Sequence, residues 1–90
     1  MPADLTLPIV NERGLHARAS AKFVEVVEAH DAEAEVSRDG MTVSGDSIMG
    51  LLMLAAAKGT SISLRTTGTQ ADDLAKALAA LVANRFGETT

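Results

Sequence analysis

The sequence predicts an α+β fold, an antiparallel sheet covered on one face by helices, with the element order βαββαβα. Three observations predict it. Short stretches that alternate apolar and polar residues are interleaved with stretches whose apolar residues recur at helical spacing. Asp39-Gly40, set between two alternating runs, marks a tight hairpin and therefore an antiparallel component. A length of 90 residues suits one compact domain, residues 1–90, with no internal repeat or linker.

Each element has its own grounds. Leu5, Leu7 and Ile9 alternate with Thr6, Pro8 and Val10 in the first strand, and Pro8, which cannot donate a ladder hydrogen bond, places that strand at a sheet edge. Asn11-Glu12-Arg13-Gly14 is a polar loop. From Ala17 to Ala29, the residues Ala19, Phe23, Val26 and Val27 share one helical face, with Lys22, Glu25 and Glu28 on others. The β-branched Val24, Val26 and Val27 weaken intrinsic helix propensity, so packing must hold this helix. Ala32, Ala34 and Val36 alternate with Glu33, Glu35 and Ser37 in a half-buried strand. Asp39-Gly40 is a type I′ turn, whose two central residues both need positive φ, and Met41 to Val43 is the return strand. Ser44-Gly45-Asp46 offers capping groups before a short helix from Ser47 to Ala55, which Lys58-Gly59 closes. Ser61 to Thr66 is the last strand, with Ile62 and Leu64 inward. Gly68-Thr69-Gln70-Ala71-Asp72 opens the final helix, where Thr69 caps the amide of Asp72 and the Asp72 carboxylate favours the positive end of the dipole. Leu74, Leu78, Leu81 and Val82 form its inward stripe, and Gly87 to Thr90 is expected to fray.

Composition excludes several functions. Eight basic residues against twelve acidic ones give a net charge of −4, unsuited to a non-specific nucleic-acid or anionic-membrane surface. The absence of cysteine excludes a disulfide framework, a thiolate metal site and a cysteine nucleophile, and it fits a reducing compartment. The longest uncharged run, Ser47 to Ala57, falls short of the roughly 20 residues that a membrane span needs. Met1-Pro2-Ala3-Asp4 lacks the basic start of a signal peptide, so a soluble cytoplasmic domain is expected. His30, near the C-terminal end of the first helix, suits the dipole there, and two histidines so far apart make no metal site.

The chemistry concentrates at Gly14-Leu15-His16-Ala17-Arg18. Gly14 permits a sharp turn, and His16 falls at a helix start, where backbone amides lack internal acceptors and form an anion site. The positive end of the dipole favours a neutral, nucleophilic imidazole, and Arg18 brings a planar cation suited to phosphate oxygens. Such a group suits a phosphoryl moiety carried on a ring nitrogen. On residue type alone, a capping or solvated histidine is the competing interpretation. Arg13, Arg18 and Lys22 face only Glu12, so the surroundings of His16 are locally basic although the chain is acidic.

Asn11-Glu12-Arg13-Gly14-Leu15-His16-Ala17-Arg18-Ala19-Ser20 resembles the active-centre segment of the histidine-containing phosphocarrier (HPr) family of the bacterial phosphotransferase system. Gly45-Asp46-Ser47-Ile48-Met49-Gly50-Leu51 resembles that family's second signature, a regulatory serine opening a short helix. The spacing of the two signatures, the hairpin and the length also match, so the resemblance covers nearly the whole chain. It implies an open-faced β-sandwich, a four-stranded antiparallel sheet with three helices on one face. It further implies that His16 accepts phosphate at Nδ1 from enzyme I and passes it to an enzyme IIA-type acceptor, with Arg18 and the backbone of Ala17 and Arg18 attending the phosphate. The chain would then be a monomeric carrier without cofactor or metal, not a catalyst that turns over a small substrate. Ser47 is, by the same resemblance, a phosphorylation site for HPr kinase/phosphorylase, against the plainer reading of a capping hydroxyl that competes with Asp46.

A short helix has too little inner face for Ile48, Met49, Leu51, Leu52, Met53 and Leu54 together. With Leu51 and Leu54 in the core, Ile48, Met49 and Leu52, joined by Lys22, are assigned to a docking patch beside His16. Ala19 stands where many family members carry proline, and chains with alanine there also resemble carriers in regulatory, nitrogen-type phosphotransferase branches. Two other classes remain in play on the residues themselves: a small-ligand sensor on the same sandwich, and a protein-binding effector in which His16 is incidental.

Overall fold

The structure is a computed structural model that describes residues 3–90. Met1 and Pro2, which entered the reading of the N-terminus, lie outside the described residues. In chain order the elements are β1 (Ala3–Pro8), α1 (Ala17–Glu28), β2 (Glu33–Arg38), β3 (Met41–Ser44), α2 (Ile48–Met53), β4 (Ser61–Thr67) and α3 (Ala71–Ala83), followed by a 3₁₀ turn at Arg85–Gly87.

The four strands form one antiparallel sheet in the order β1-β4-β2-β3. Pro8 therefore sits on an edge strand, paired opposite Ser61, as its missing donor requires. Alternation is cleanest in β4, a central strand: Ile62, Leu64 and Thr66 are buried, whereas Ser61, Ser63, Arg65 and Thr67 are exposed. Leu7, Ala34 and Val36 extend the inward face on either side. The outward face stays polar, with Thr6 opposite Ser63 and Arg65 between Asp4 and Glu35. Such a face needs no cover, and the sandwich is open on that side. Leu5 points inward but has a neighbouring strand on one side only, and it remains exposed.

Helix α1 buries Ala19, Ser20, Phe23, Val24 and Val27, and α3 buries Leu74, Ala75, Leu78 and Val82. Phe23 and Phe86, both fully buried, are the largest core side chains; each contributes about 2–3 kcal/mol relative to exposure. Asp39 and Gly40 both have positive φ, as the hairpin assignment requires.

Three expectations fail, each because a tertiary contact overrides the local signal. Thr69 does not cap α3. Gln70 occupies that position, and its Oε1 instead accepts from the amide of Asp31 at 2.7 Å while its own amide donates to the Asp31 carbonyl at 2.9 Å. Helix α2 stops before Ala55, which turns to φ 51, and Lys58-Gly59 belongs to the turn before β4. The early stop leaves Ala56 extended and buried, with its carbonyl accepting from the amide of Leu15 at 2.9 Å. Finally, Gly87 to Thr90 does not fray but folds back onto the loop that precedes α1.

Gly14 is the tightest point of that loop. Its φ is +65, and a Cβ there would lie 2.5 Å from the Ala56 carbonyl oxygen and 2.9 Å from the Ala57 Cα. Gly40, at φ +81, has open space around the same position. Gly14→Ala is therefore expected to cost about 2–4 kcal/mol, combining left-handed strain with a backbone clash, whereas Gly40→Ala costs only about 1 kcal/mol. Urea denaturation of the two variants measures the difference.

Candidate functional site

The site grows out of the loop between β1 and α1. Asn11 is fully buried, and its Nδ2 donates to the Gly14 carbonyl at 2.8 Å, while the Gly14 amide donates to the Asn11 carbonyl at 3.2 Å. This closed turn, with Gly14 in a left-handed conformation, delivers buried Leu15 to Ala56 and sets His16 at the start of α1.

His16 is the N-cap residue, with φ −79 and ψ −178. Its carbonyl accepts the first helical hydrogen bond from Ser20 at 2.8 Å, but its imidazole does not cap the helix. The ring is thus free for another role, and the side chain is 22% exposed. Ala17 and Arg18 form the first turn, both exposed, where amides have no intrahelical acceptor and the dipole favours an anion. No acidic residue occupies that turn. The Arg18 guanidinium makes no hydrogen bond or ion pair among the described residues. Ala19 is completely buried.

The folded-back segment completes the site. Phe86, at φ 54, inserts into the core, and Lys22 Nζ donates to its carbonyl at 2.6 Å. The Glu12 amide donates to the Thr90 carbonyl at 2.8 Å. Between these anchors lies Glu88. Its Oε1 accepts from Asn11 Nδ2 at 3.0 Å, and its Oε2 accepts from His16 Nε2. The hydrogen bond from His16 holds the Glu88 carboxyl below the usual carboxylate range, with smaller help from Asn11 and from the charge of Arg13, against partial desolvation. A lowered carboxyl pKa stabilises the docked segment at neutral pH, and that contribution disappears as pH falls through the lowered value. Lys58 Nζ pairs with Glu12 Oε1 at 2.8 Å on the exposed side of the loop.

Residue type alone does not single out Asn11, which falls in a polar loop, or Glu88, which falls in a segment whose composition suggests fraying. The one available signal was Phe86, an aromatic residue shortly past the final helix in a chain with only two.

Ser47 caps α2, its Oγ accepting from the Gly50 amide at 3.0 Å. Asp46 does not compete, because its carboxylate accepts from Ser44 Oγ at 2.6 Å. Ile48 is 41%, Met49 69% and Met53 63% exposed, while Leu52 is half-buried and Leu51 and Leu54 are buried. The exposed apolar surface of α2 therefore includes Met53 and only part of Leu52. His30 Nδ1 bonds the Val26 carbonyl at 2.7 Å, one turn back along α1. Among the described residues no three His, Asp or Glu side chains gather as metal ligands, and no helix is long and apolar enough to cross a membrane.

A family model described as "PTS HPr component phosphorylation site" matches residues 4–84. The chain is 48% identical over 89 residues to the phosphocarrier protein HPr of Pseudomonas aeruginosa, covering 98% of each. It is 36% identical over 89 residues to the phosphocarrier protein NPr of Escherichia coli, covering 98% of this chain and 99% of that one. Its fold matches the crystal structure of HPr-C-His from Thermoanaerobacter tengcongensis with a TM-score of 0.92 at 33% identity, over 98% of this chain and 99% of the other. With the βαββαβα order, the four-stranded open sheet and both signature segments in place, the chain belongs to the HPr family of phosphocarrier proteins of the phosphotransferase system.

Proposed function

We propose that His16 is the phosphoryl acceptor, charged at Nδ1 by phospho-enzyme I and discharged to an enzyme IIA-type protein. The observation that carries this reading is a helix-capping histidine whose ring takes no part in the cap and points Nε2 at a carboxylate. A neutral ring with its proton on Nε2 offers the Nδ1 lone pair to phosphorus. The transferred group then meets the free amides of Ala17 and Arg18 and the unpaired Arg18 guanidinium, which matches phosphate oxygens in geometry and charge. The partner proteins supply most of the catalytic power, and this chain contributes a preorganised acceptor on its surface. It acts as a cytoplasmic, monomeric, single-domain carrier that needs no cofactor. Membership of a phosphocarrier family favours this reading over a ligand sensor or a pure binding effector.

Ser47 is the second modification site in this proposal, phosphorylated by HPr kinase/phosphorylase. A phosphate at the start of α2 is compatible with the helix, because its oxygens can accept from the Gly50 amide in place of the hydroxyl. It adds roughly −1.5 to −2 charge beside the exposed Ile48 and Met49. Ile48, Met49 and Leu52, with Lys22, form the docking surface for the partners.

Incubation with enzyme I and labelled phosphoenolpyruvate is expected to place one acid-labile phosphate on the wild-type chain and none on His16→Ala; label on the variant would refute the assignment. With the kinase and ATP, Ser47→Ala is expected to take no label and to lose about 1 kcal/mol of stability with its cap. Continued labelling would remove Ser47 from the proposal. Met49→Glu places a charge at an exposed docking position and is expected to slow transfer from enzyme I on the order of tenfold while the melting temperature holds. An unchanged transfer rate would take Met49 out of the interface.

A further inference from the structure

We propose that Glu88 is a positioning residue for the transfer, holding His16 in the Nε2–H form so that Nδ1 faces the incoming phosphoryl group with its lone pair free. This rests on the carrier reading above and adds to it the group that selects the tautomer.

The geometry is specific. Glu88 Oε2 meets His16 Nε2, and an ionised carboxylate can only accept, so the ring nitrogen must donate. Nδ1 makes no hydrogen bond among the described residues. The carboxylate is itself oriented, because Oε1 accepts from Asn11 Nδ2, whose other bond runs to the Gly14 carbonyl. The segment bearing Glu88 is anchored on both sides, by Phe86 in the core and by the Thr90 carbonyl on the Glu12 amide. An imidazole oriented at one nitrogen by a fixed carboxylate, leaving the other nitrogen to react, is the arrangement that sets tautomer and basicity in carboxylate–histidine pairs generally.

In the transfer, a bond forms between Nδ1 and phosphorus while the bond from phosphorus to the donor breaks, and the donor keeps that electron pair. The Nε2 proton stays on the ring, which becomes a phospho-imidazolium cation beside the Glu88 carboxylate. The pairing is therefore stronger after phosphorus has bonded than before, and such a difference favours the transition state. When the phosphoryl group leaves, the same electron pair returns to Nδ1.

Two variants separate positioning from mere packing. In Glu88→Gln the amide oxygen is held by Asn11 Nδ2, so the amide NH₂ faces His16 Nε2 and must be met by an acceptor. That drives the ring to the Nδ1–H form and blocks the reacting nitrogen. Glu88→Ala removes the partner without imposing the wrong tautomer. A structural role predicts that the near-isosteric Glu88→Gln is the milder change, whereas tautomer control predicts that it is the more severe.

Long-range ¹H–¹⁵N spectra of the unphosphorylated protein, at a mildly alkaline pH, report which ring nitrogen carries the proton. The expected result is Nε2–H in wild type and Nδ1–H in Glu88→Gln. Initial rates of labelling by phospho-enzyme I are expected to fall on the order of tenfold in Glu88→Ala and on the order of a hundredfold in Glu88→Gln. Retention of the Nε2–H form in Glu88→Gln, or a Glu88→Gln rate equal to or above that of Glu88→Ala, overturns the inference. A rate above wild type in either variant also overturns it, since Glu88 would then obstruct the site. Absence of label on the wild-type chain would instead overturn the carrier reading, while the spectra would still judge Glu88.

Discussion

One buried amide group joins the two ends of the fold at the candidate site. Asn11 Nδ2 donates one hydrogen to the Gly14 carbonyl, closing the turn before α1, and the other to Glu88, docking the segment after α3. Its own Oδ1 is buried without a hydrogen-bond partner among the described residues. An unsatisfied buried acceptor costs about 1–3 kcal/mol, a cost that the packing of Leu15, Phe86 and the sheet must offset. Loops rarely bury a polar side chain so completely unless its geometry is being used. Here the geometry sets two things together, the entry angle of α1 and the position of a carboxylate against His16.

Electrostatics around His16 differ accordingly from what charge counting suggests. Glu12, the one nearby acid apparent from residue order, is paired with Lys58 on the exposed side. Lys22 is committed to the Phe86 carbonyl, and the carboxylate that does face the imidazole arrives from far along the chain. Arg13 and Arg18 make no hydrogen bond or ion pair among the described residues, and of the two Arg18 stands in the first turn of α1. The candidate site thus has two sides: an imidazole tied to the Glu88 carboxylate on one, and the exposed first-turn amides and the Arg18 guanidinium on the other. In the proposed transfer, phosphate would meet the second side without displacing the first.

The fold was legible where one period governed the local packing. β4 shows this best, because the strand lies between β1 and β2 and its inward residues Leu64 and Thr66 are paired on both sides. The same holds for Leu74, Leu78 and Val82 on α3, and for Asp39-Gly40, whose turn chemistry acts within four residues. The placement of His16 at the start of α1 was legible because its neighbours in sequence also build its turn. What escaped depended on contacts between distant segments. The Ala56 carbonyl is claimed by Leu15, so α2 ends early; Gln70 is claimed by Asp31, so Thr69 has no cap to make; Phe86 is claimed by the core, so the last residues dock. None of these partners lies within a helical turn of the residue it redirects, and periodicity carries no information about them.

The same contrast bears on Ala19. A proline at this position would restrict φ in the first turn of the helix and lower the entropy of the unfolded chain by an equivalent of about 0.4–1 kcal/mol. Alanine removes that local restraint, yet Ala19 is completely buried and its turn is bounded by the Leu15–Ala56 and Ser20–His16 hydrogen bonds. Order at His16 in this chain is therefore a tertiary property, set by the Gly14 contact with Ala56 and by the Glu88 strap, and not a property of the backbone alone. A local restraint acts within the turn itself, whereas the tertiary one makes the geometry at His16 depend on a residue 72 positions away in the chain.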